Sequence, residues 1–426
     1  MISDHTADEA YVWIWLPGAV NPVVAGRLWR DEPRYLFNYG QSYLARPDAI
    51  AIHERELPLR EGLIEPVRNL LIAGCIRDAA PDSWGRRVIL NRKFGLKGRD
   101  VDTDRLDEIS YLLGSGSDRI GALDFQQSSR QYVARTGSDA SLEELQDAAA
   151  RIEAGIPLSV ELDEALHHGT AIGGARPKAL ITSEQRKYVA KFSSSTDSTN
   201  QVKAEFATMR LAARLGLDVA PVRLMQIAGK DVLLVERFDR HRTEEGWTRR
   251  EILSALTLLE LDEMQARYSG YDLLAEMVRH KFAAPRRTLR ELFARMTYNI
   301  LCGNTDDHAR NHAAIWDGRE LTLSPAYDLC PQIRAGGQAS QAMRIIGDAN
   351  ASTLKLCLEA ASIFGLSTTD AEDMIIAQIA VIRSNLAPVL IEAGLSVTER
   401  NLLTQRSFLT PYIFQGAPQR IAALMS

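Results

Sequence analysis

The arrangement of apolar residues changes along the chain, and the predicted secondary structure changes with it. Residues 11–16 (YVWIWL) and 49–52 (AIAI) are short apolar runs among loops, and both runs predict strands. Ser141 and Glu144 have the spacing of a helix capping box, which predicts a helix that ends at Gly155. The first third of the chain is therefore predicted to mix strands, helices and loops.

The region up to about residue 240 has the pattern of a small α/β unit. The runs ALIT (179–182) and YVAKF (188–192) flank a polar turn and predict a hairpin. Apolar residues recur at helical spacing in residues 202–215, which predicts a helix. Two further strands, VRLMQIA and DVLLVERF, are predicted on either side of a turn at Gly229.

After Arg242 almost every long segment has helical periodicity. The predicted helices cover residues 251–262, 271–282, 287–302, 353–364, 370–392 and 397–406. The predicted fold class is α+β, with a mixed α/β front half and an all-helical back half that meet near residue 240.

The composition is that of an ordinary globular protein, and it narrows the possible functions. The chain has 426 residues, more than the roughly 250–300 that share one core, so we expect more than one domain. With 50 Lys and Arg against 55 Asp and Glu, the net charge is −5, which does not favour direct binding to DNA. Cys75, Cys302, Cys330 and Cys357 lack metal-site spacing, so we expect reduced thiols of a cytoplasmic protein.

Two further patterns bear on membranes and secretion. We find no stretch that approaches the roughly 18 apolar residues of a membrane span, so we expect no spanning helix. The segment MISDHTADEA is acidic and lacks the apolar core of a signal peptide, so we expect no secretion signal. Together these patterns predict a cytoplasmic protein that does not contact a membrane.

The segment GNTDDHARN, residues 303–311, carries the main candidate chemistry. Asp306 and Asn311 are five positions apart, and on a tight loop such a pair can face one small volume. The carboxylate can orient or deprotonate a hydroxyl, while the amide oxygen can bind a divalent cation. Protein kinases have this spacing in their catalytic loop, although their loop begins His-Arg-Asp and this one does not. Taken alone, such residues are more often a helix cap and a turn residue than a catalytic pair.

Other candidates stand before and after this loop. Asp328, in LSPAYDLCP, can share a magnesium ion with Asn311, because Mg²⁺ takes oxygen ligands and keeps several waters. Lys191, in the strand run YVAKF, can reach the phosphates of a nucleotide. The amide groups of Gly173 and Gly174 can approach the same phosphates closely.

The region between Lys191 and the catalytic loop adds two candidates. Glu205, in the predicted helix, is either the ion-pair partner of Lys191, as in kinases, or a surface carboxylate. VERFDR (235–240) ends a predicted strand and can present backbone groups to an adenine edge. The order of glycine loop, strand lysine, helix glutamate, hinge, Asp-x4-Asn loop and metal aspartate is the order of these parts in kinases.

Several segments together resemble the HipA family of bacterial toxin serine/threonine kinases. The segments are GGARPKALI, YVAKF, LLVERFDR, ILCGNTDDHARNH and LSPAYDL, while FNYGQSYL, DAAPDSWGRR and DRIGALDF look like the leading subdomain of that family. The resemblance covers about residues 35 to 330, and the helical remainder fits the C-terminal lobe of the family. It implies a two-lobed protein-kinase-like fold with an N-terminal subdomain (1–135), a kinase N-lobe (136–240) and a helical C-lobe (241–426).

The resemblance also implies roles for individual residues. It makes Asp306 the catalytic base and Asn311 and Asp328 the Mg²⁺ ligands. Around ATP it implies the loop residues Gly173 and Gly174, the phosphate lysine Lys191, the hinge residues Glu236 and Phe238, and Asp239 and His308 near the phosphates and the metal.

The implied function is an ATP- and Mg²⁺-dependent serine/threonine kinase, the toxin of a toxin–antitoxin pair. Its implied substrate is a translation-related protein such as an aminoacyl-tRNA synthetase. The implied partner is a HipB-like helix-turn-helix antitoxin, through which alone the protein meets DNA. Two alternatives remain: a kinase of small molecules, and a non-catalytic co-repressor bound to a DNA-binding antitoxin. The presence of Lys191, Asp306, Asn311 and Asp328 argues against the co-repressor, since a scaffold need not keep all four.

One position departs from the pattern of the family. Its best-known members carry a serine two residues before the glycine pair, and autophosphorylation of that serine expels the loop. Here the position is Ala171, preceded by Thr170. Alanine has no hydroxyl, so we expect no phosphate at residue 171 and a loop that stays over ATP. A phosphate on Thr170, found by intact-mass analysis, would be the contrary result.

Overall fold

The structure is a computed structural model that describes residues 7–94, 102–135, 141–153, 177–183, 185–193, 199–334 and 336–425. The chain forms two compact units, and each unit is assembled from three separate segments. The first unit comprises residues 1–196, 226–253 and 315–319, and the second comprises residues 197–225, 254–314 and 320–426. The division into three consecutive domains stays a prediction.

An antiparallel sheet with the strand order β3-β2-β1-β4 lies in the first unit. Its strands are β1 (Glu9–Ile14), β2 (Val23–Asp31), β3 (Arg34–Tyr39) and β4 (Leu123–Gln126). The apolar run at 11–16 supplies β1, as predicted. A register shift between Val12 and Trp13 interrupts the alternation of faces, and both side chains are buried.

The described helices of this unit are α1 (Gln41–Leu44), α2 (Gly74–Asp78), α3 (Ser83–Phe94), α4 (Glu108–Gly114) and α5 (Leu142–Glu153). The predicted capping box opens α5: the Ser141 amide donates to Glu144 at 2.8 Å, and the Glu144 amide donates to Ser141 at 3.2 Å. The strand predicted at 49–52 is wrong. There the Ile52 amide donates to the Tyr39 hydroxyl, so a side chain takes the place of a partner strand.

A second sheet carries the predicted hairpin. Its strands are β5 (Lys178–Thr182), β6 (Lys187–Phe192), β7 (Val222–Ile227) and β8 (Lys230–Glu236). β5 and β6 pair in antiparallel fashion across a turn closed by a 2.8 Å bond from the Ser183 amide to the Arg186 carbonyl, and β6 also pairs with β8. Helices α3 and α5 cover one face of β6 and β8, where Trp84, Leu145 and Phe192 share a core.

The remaining elements begin after β8, apart from one helix that precedes β7. The strands are β9 (Arg240–Arg242), β10 (Trp247–Arg249), β11 (Glu251–Ser254), β12 (Ala313–Trp316) and β13 (Leu321–Leu323). The helices are α6 (Gln201–Arg214), α7 (Ala255–Leu258), α8 (Tyr271–Lys281), α9 (Pro285–Cys302), α10 (Leu354–Ala360), α11 (Thr368–Glu392), α12 (Val397–Arg406) and α13 (Gln419–Ala422). The helices predicted at 202–215, 271–282, 287–302, 353–364, 370–392 and 397–406 are thereby confirmed, with shifted ends.

The prediction of a helix at 251–262 is wrong, and the back half of the chain is mainly rather than entirely helical. Residues 251–254 form β11, whose four side chains are all buried. Ser254 then caps the short α7, because its hydroxyl accepts from the Thr257 amide at 3.2 Å. A strand buried on both faces lacks the alternation that would distinguish it from a helix in the sequence.

Helix α11 corrects one expectation about membranes. In the described part of the chain it is the one helix long and apolar enough to cross a membrane, and 39% of its apolar window is buried. Length and composition are weak evidence for a span, because core helices pass the same test. One face of α11 packs on α9: Gln378 donates to the Ala294 carbonyl and accepts from the Thr297 hydroxyl, both at 2.8 Å.

Candidate active site

Helix α9 leads directly into the predicted catalytic loop. Residues 292–302 of this helix are all buried, so its C-terminal half lies in the core of the second unit. The helix ends at Gly303, whose φ of 71° lies in the left-handed region. A Cβ atom on Gly303 would lie 2.5 Å from the backbone oxygen of Ser407. Both the dihedral angle and the close backbone therefore require glycine at the start of the loop.

The two adjacent aspartates of the loop have different surroundings. Asp307 is 1% exposed, and one of its carboxylate oxygens lies 2.8 Å from Nε2 of His312. The other oxygen accepts a hydrogen bond from the Tyr271 hydroxyl. Asp306 is exposed to solvent. Of the two carboxylates, Asp306 is therefore the one that a substrate can reach.

The contacts of Asp307 belong to a larger buried network beneath the loop. The Tyr271 hydroxyl lies 3.2 Å from Nε2 of His312 and accepts from the Asn299 amide at 3.4 Å. The Asn304 side chain donates to Oδ1 of Asn299 at 3.0 Å. Burial, followed by the charge of Asp307, raises the pKa of Tyr271 well above its ordinary value. The hydroxyl thus stays protonated and can donate to the carboxylate.

The predicted pair Asp306 and Asn311 is brought together by a tight turn. The Asn311 side-chain amide donates to the backbone oxygen of Asp306 at 3.2 Å. The backbone oxygen of Asp306 also accepts a hydrogen bond from the backbone amide of His308 at 2.9 Å. The backbone amide of Asn311 donates to the backbone carbonyl of His308 at 2.8 Å. Half-buried His308 therefore organises the turn between the two residues.

Asp328 has an unusual backbone conformation. Its φ is 58°, in the left-handed region that few residues other than glycine adopt, although Asp and Asn tolerate it better than most. The preceding backbone is fixed, because the Ala326 amide donates to the Asp218 carbonyl at 2.7 Å. The side chain of Asp328 is thus presented from an anchored, sharply turned segment.

Tyr327 connects the Asp328 segment to the catalytic loop. Its hydroxyl donates to the Arg310 carbonyl at 2.7 Å. Arg310 and Asn311 are consecutive, as are Tyr327 and Asp328. One hydrogen bond therefore joins the segments that carry the two predicted metal ligands.

The residues present fit a magnesium ion. Asn311 and Asp328 provide an amide oxygen and a carboxylate, the donor types that Mg²⁺ takes, and the amide nitrogen of Asn311 is already bonded to backbone. The described residues contain no group of three His, Cys, Asp or Glu side chains arranged for a metal. An Asn–Asp pair needs no such group, since water and phosphate oxygens complete the magnesium shell.

In the first unit, Lys191 lies on β6 between two core residues. Ala190 and Phe192 are buried, so the alternation of the strand directs half-buried Lys191 to the opposite face. Its strand neighbours are Lys178 on β5 and Leu233 on β8. Glu205, on α6 of the second unit, is 5% exposed, so it is not a surface carboxylate. Its pairing with Lys191 stays a prediction.

The predicted hinge follows the end of β8. Glu236 is the last residue of this strand, lies in register with Tyr188, and pairs through its carboxylate with Arg186. Phe238 is half-buried in the turn that follows. Glu236 is therefore held by the antiparallel pair that carries Lys191, and Phe238 follows it by two positions, while the contact of both residues with adenine stays a prediction.

Asp239, next to this hinge, is buried among arginines. Its carboxylate accepts from Nε of Arg237 and from Nη1 of Arg240, each at 2.9 Å, and from the Gly121 amide at 2.9 Å. Burial alone would raise its pKa, but Arg237 and Arg240 outweigh burial and lower the pKa to about 2. These contacts stabilise the turn, and the predicted place of Asp239 near the phosphates stays a prediction.

Some predicted residues lie outside the described ranges, and some residues that support the site were not predicted. Gly173 and Gly174, with Ala171 and Thr170 before them, fall outside the described ranges. Sequence reasoning missed Tyr271, His312 and Tyr327, which support the predicted catalytic loop. For Tyr327 its position beside Asp328 was the available signal, whereas no local pattern connects Tyr271 to the loop.

Comparisons with known proteins agree with this architecture. Residues 16–126 match the family model of the HipA N-terminal domain. Residues 170–386, more than half of the chain, match the family model of the HipA-like C-terminal domain.

Two of the similar sequences come from Sinorhizobium fredii and Shewanella oneidensis. The Sinorhizobium fredii protein Y4mE is 30% identical over 150 residues, which are 33% of this chain and 33% of that protein. The Shewanella oneidensis serine/threonine-protein kinase toxin HipA is 30% identical over 146 residues, which are 29% of this chain and 33% of that protein. The matched region thus spans about a third of the length of these relatives.

A solved structure matches over nearly the whole chain. The HipA, HipB and operator DNA complex of Shewanella oneidensis contains a chain that matches with a TM-score of 0.67 and 17% identity, covering 98% of this chain and 96% of that one. At this identity the match establishes the fold, which confirms the predicted kinase-like fold of the HipA type. With this fold and with both domain families matched in order along the sequence, the protein belongs to the HipA family.

Proposed function

We propose that the protein is an ATP- and Mg²⁺-dependent serine/threonine protein kinase and the toxin of a toxin–antitoxin pair. The observation that carries this proposal is the geometry of the loop. Asp306 is exposed there, and its backbone oxygen accepts a hydrogen bond from the side-chain amide of Asn311. Membership of the HipA family and the kinase name of one relative support it further.

In the proposed reaction, Asp306 acts on the incoming hydroxyl. Its carboxylate orients the serine or threonine hydroxyl of the substrate and accepts its proton. The hydroxyl oxygen bonds to the γ-phosphorus while the bond from that phosphorus to the β–γ bridging oxygen breaks and ADP leaves. Asn311 and Asp328 would hold Mg²⁺, which supplies positive charge to the phosphate oxygens when bound.

The first unit is proposed to hold the nucleotide. Lys191 pairs with the phosphates, the Gly173 and Gly174 amides cover them, and Glu236 and Phe238 meet the adenine. His308 is proposed near the phosphates and the metal, because it stands between Asp306 and Asn311. Asp239 is proposed near the same end, and its pairing with two arginines favours an indirect contribution there.

The proposed partner is a HipB-like helix-turn-helix antitoxin, with DNA contacted through that partner. The support is the similar chain solved together with HipB and operator DNA, and the net charge of −5, which does not favour direct DNA binding. The proposed substrate is a translation-related cytoplasmic protein such as an aminoacyl-tRNA synthetase. Purification of the tagged chain from its own cells should retain a small DNA-binding protein, and recovery without one would count against this partner.

The activity itself is tested by phosphate transfer. The purified protein is incubated with γ-labelled ATP, Mg²⁺ and a bacterial extract, with a parallel sample in which a chelator removes the metal. Label on serine or threonine of a protein, absent with the chelator, is the expected result. Label found instead in a small molecule would favour the small-molecule kinase, and no transfer at all would favour the co-repressor.

A further inference from the structure

A largely buried ionic network joins residues 118–121 to the ends of β6 and β8. One oxygen of the Asp118 carboxylate lies 2.6 Å from Nζ of Lys187, the first residue of β6. The other oxygen lies 3.0 Å from Arg237, which directly follows β8, and 3.0 Å from Arg240, which begins β9. A single carboxylate thus contacts both strands that lead to the predicted nucleotide residues.

The backbone of the same segment adds further bonds. The Arg119 carbonyl accepts from Arg237 at 2.6 Å and also from Arg240. The Gly121 amide donates to Asp239 at 2.9 Å, and the Gly121 carbonyl accepts from Arg240 at 2.8 Å. The turn after β8 is therefore held by main-chain and side-chain groups of the N-terminal domain.

The charges of this network depend on one another. The side chains of Arg237 and Arg240 are 1% and 0% exposed, so each needs a nearby carboxylate. Burial alone would raise the pKa of Asp118, but the charges of Arg237, Arg240 and Lys187 hold it well below its ordinary value. Without the Asp118 charge, Arg237 and Arg240 would keep their ion pairs with Asp239 but lose those with Asp118, and Lys187 would lose its ion pair with Asp118.

The residues proposed to bind ATP stand next to these contacts. Lys191 is four positions after Lys187, so both side chains lie on the same face of β6. Glu236 and Phe238 flank Arg237, whose amide donates to the Lys187 carbonyl at 2.8 Å. Asp118 therefore contacts the end of the paired β6–β8 stretch at which the predicted hinge begins, four residues before Lys191.

We propose that Asp118 is a positioning residue of the nucleotide site. It does not touch the nucleotide. It fixes the end of β8 against the start of β6, so that hinge and lysine are correctly spaced before ATP arrives. The N-terminal HipA domain would thereby contribute to nucleotide affinity through one carboxylate. This inference rests on the proposed function and extends it to a residue outside the kinase segments.

The test compares two isosteric variants that each remove one charge from the same domain. Asp118→Asn removes the contact with both strands. Glu108→Gln is the matched control: the Glu108 side chain is 24% exposed, close to the 17% of Asp118, and it pairs at 2.7 Å with Arg86, which lies on α3 and not on β6 or β8. Should Asp118→Asn fail to fold, Lys187→Met removes one of the same contacts from the strand side.

Two measurements are made on the full chain. In the absence of nucleotide, the amides of residues 187–191 and 236–240 should exchange hydrogen faster in Asp118→Asn than in the wild type. The affinity for ATP with Mg²⁺ should fall about tenfold, which corresponds to about 1.4 kcal/mol, with kcat little changed. Glu108→Gln should leave exchange at these amides and ATP affinity as in the wild type, and Lys187→Met should change both in the direction of Asp118→Asn.

The outcomes separate this inference from the proposed function. If the wild type binds ATP and Asp118→Asn matches it in affinity and exchange, the inference is wrong and the function stands. An equal loss of affinity in Glu108→Gln also overturns it, because a general loss of stability would then explain both variants. If the wild type binds no ATP, the proposed function is wrong, and the role of Asp118 at a nucleotide site is wrong with it.

Discussion

Asp306 and Asp307 show that the surroundings of a carboxylate determine whether it can meet a substrate or stabilise the loop. The two side chains have the same chemistry and are adjacent in sequence. Asp307 is held by His312 and Tyr271 inside the second unit, whereas Asp306 is exposed. A buried carboxylate with a side-chain partner at each oxygen stabilises the loop, and the exposed carboxylate can meet a substrate.

Replacing Asp306 tests its role as the base. We expect Asp306→Asn to lower phosphate transfer by roughly 10²–10⁴-fold, the usual contribution of a general base. ATP affinity should stay close to that of the wild type, because the base acts on the hydroxyl and not on the nucleotide. Labelled transfer and calorimetry measure the two quantities. Asp348→Asn, a change at a side chain that is 91% exposed, is the control, and full activity of Asp306→Asn would mean that another residue is the base.

Replacing Asp328 tests the metal site. We expect Asp328→Ala to lose Mg²⁺-dependent ATP binding, because its carboxylate is a proposed ligand of the ion that contacts the phosphates. Alanine also fits the φ of 58° poorly, so Asp328→Asn serves as the second variant, since Asn tolerates this conformation. Calorimetry with and without Mg²⁺ should show the loss in both variants. Unchanged binding in Asp328→Asn would contradict a role for the carboxylate charge.

At the scale of elements, the end of helix α9 determines where the predicted catalytic loop begins. Two glycines allow a matched test of whether Gly303 is required at this helix end. Gly303 and Gly365 both end helical turns, with φ of 71° and 72°. An added Cβ meets the Ser407 oxygen at 2.5 Å at Gly303, but meets nothing within 4 Å at Gly365. We expect Gly365→Ala to lower the free energy of unfolding by about 1–2 kcal/mol, the left-handed strain alone. Gly303→Ala should lower it by clearly more, as measured by urea denaturation, and equal losses would contradict the close contact.

The elements that sequence reasoning predicted correctly are those with a local signature. Helices α6, α8, α9 and α11 have long apolar periodicity, and the Ser141 capping box opens α5 as its spacing indicates. The errors fall where distant partners decide. Residues 49–52 are not a strand because the Tyr39 and Tyr43 hydroxyls bind their backbone, and β11 was missed because burial on both faces removes any period.

The residues of the candidate site also fall into two groups, those with a local sequence signature and those that depend on distant contacts. Asp306, Asn311 and Asp328 were proposed from motifs and from a resemblance to a family, because the proposed chemistry requires particular residue types at fixed spacing, and their roles stay predictions. The groups that hold them could not be found in this way. Tyr271 and His312 meet Asp307 only after α8 and the loop have packed, and the spacing of neither residue predicts that contact.

For the whole molecule, two buried acids make the free energy of unfolding depend on pH in opposite directions. The pKa of Asp239 is lowered from 3.8 to about 2. Its contribution to the free energy of unfolding is therefore present above pH 4 and is lost as pH falls through about 2. Burial raises the pKa of Glu251 from 4.5 to about 8. Its contribution is therefore complete below pH 4.5 and is lost as pH rises through about 8.

Glu251→Gln should therefore flatten the decline of stability between pH 5 and pH 8. The amide is neutral throughout, and its oxygen can still accept the bond that Glu251 receives from the Ala122 amide at 2.7 Å. Denaturation midpoints measured at several pH values should fall less from pH 5 to pH 8 in the variant than in the wild type. Identical slopes would mean that Glu251 titrates normally.

The three-segment composition of the first unit has a consequence for the order of synthesis. Its last segment, residues 315–319, reaches back to the beginning of the unit: the Trp316 indole donates to the Ala51 carbonyl at 2.8 Å. A ribosome synthesises the chain from the N-terminus to the C-terminus. This segment can therefore join the first unit only after residue 319 of 426 has left the ribosome. Translation that stops before that residue yields a polypeptide in which neither unit is complete.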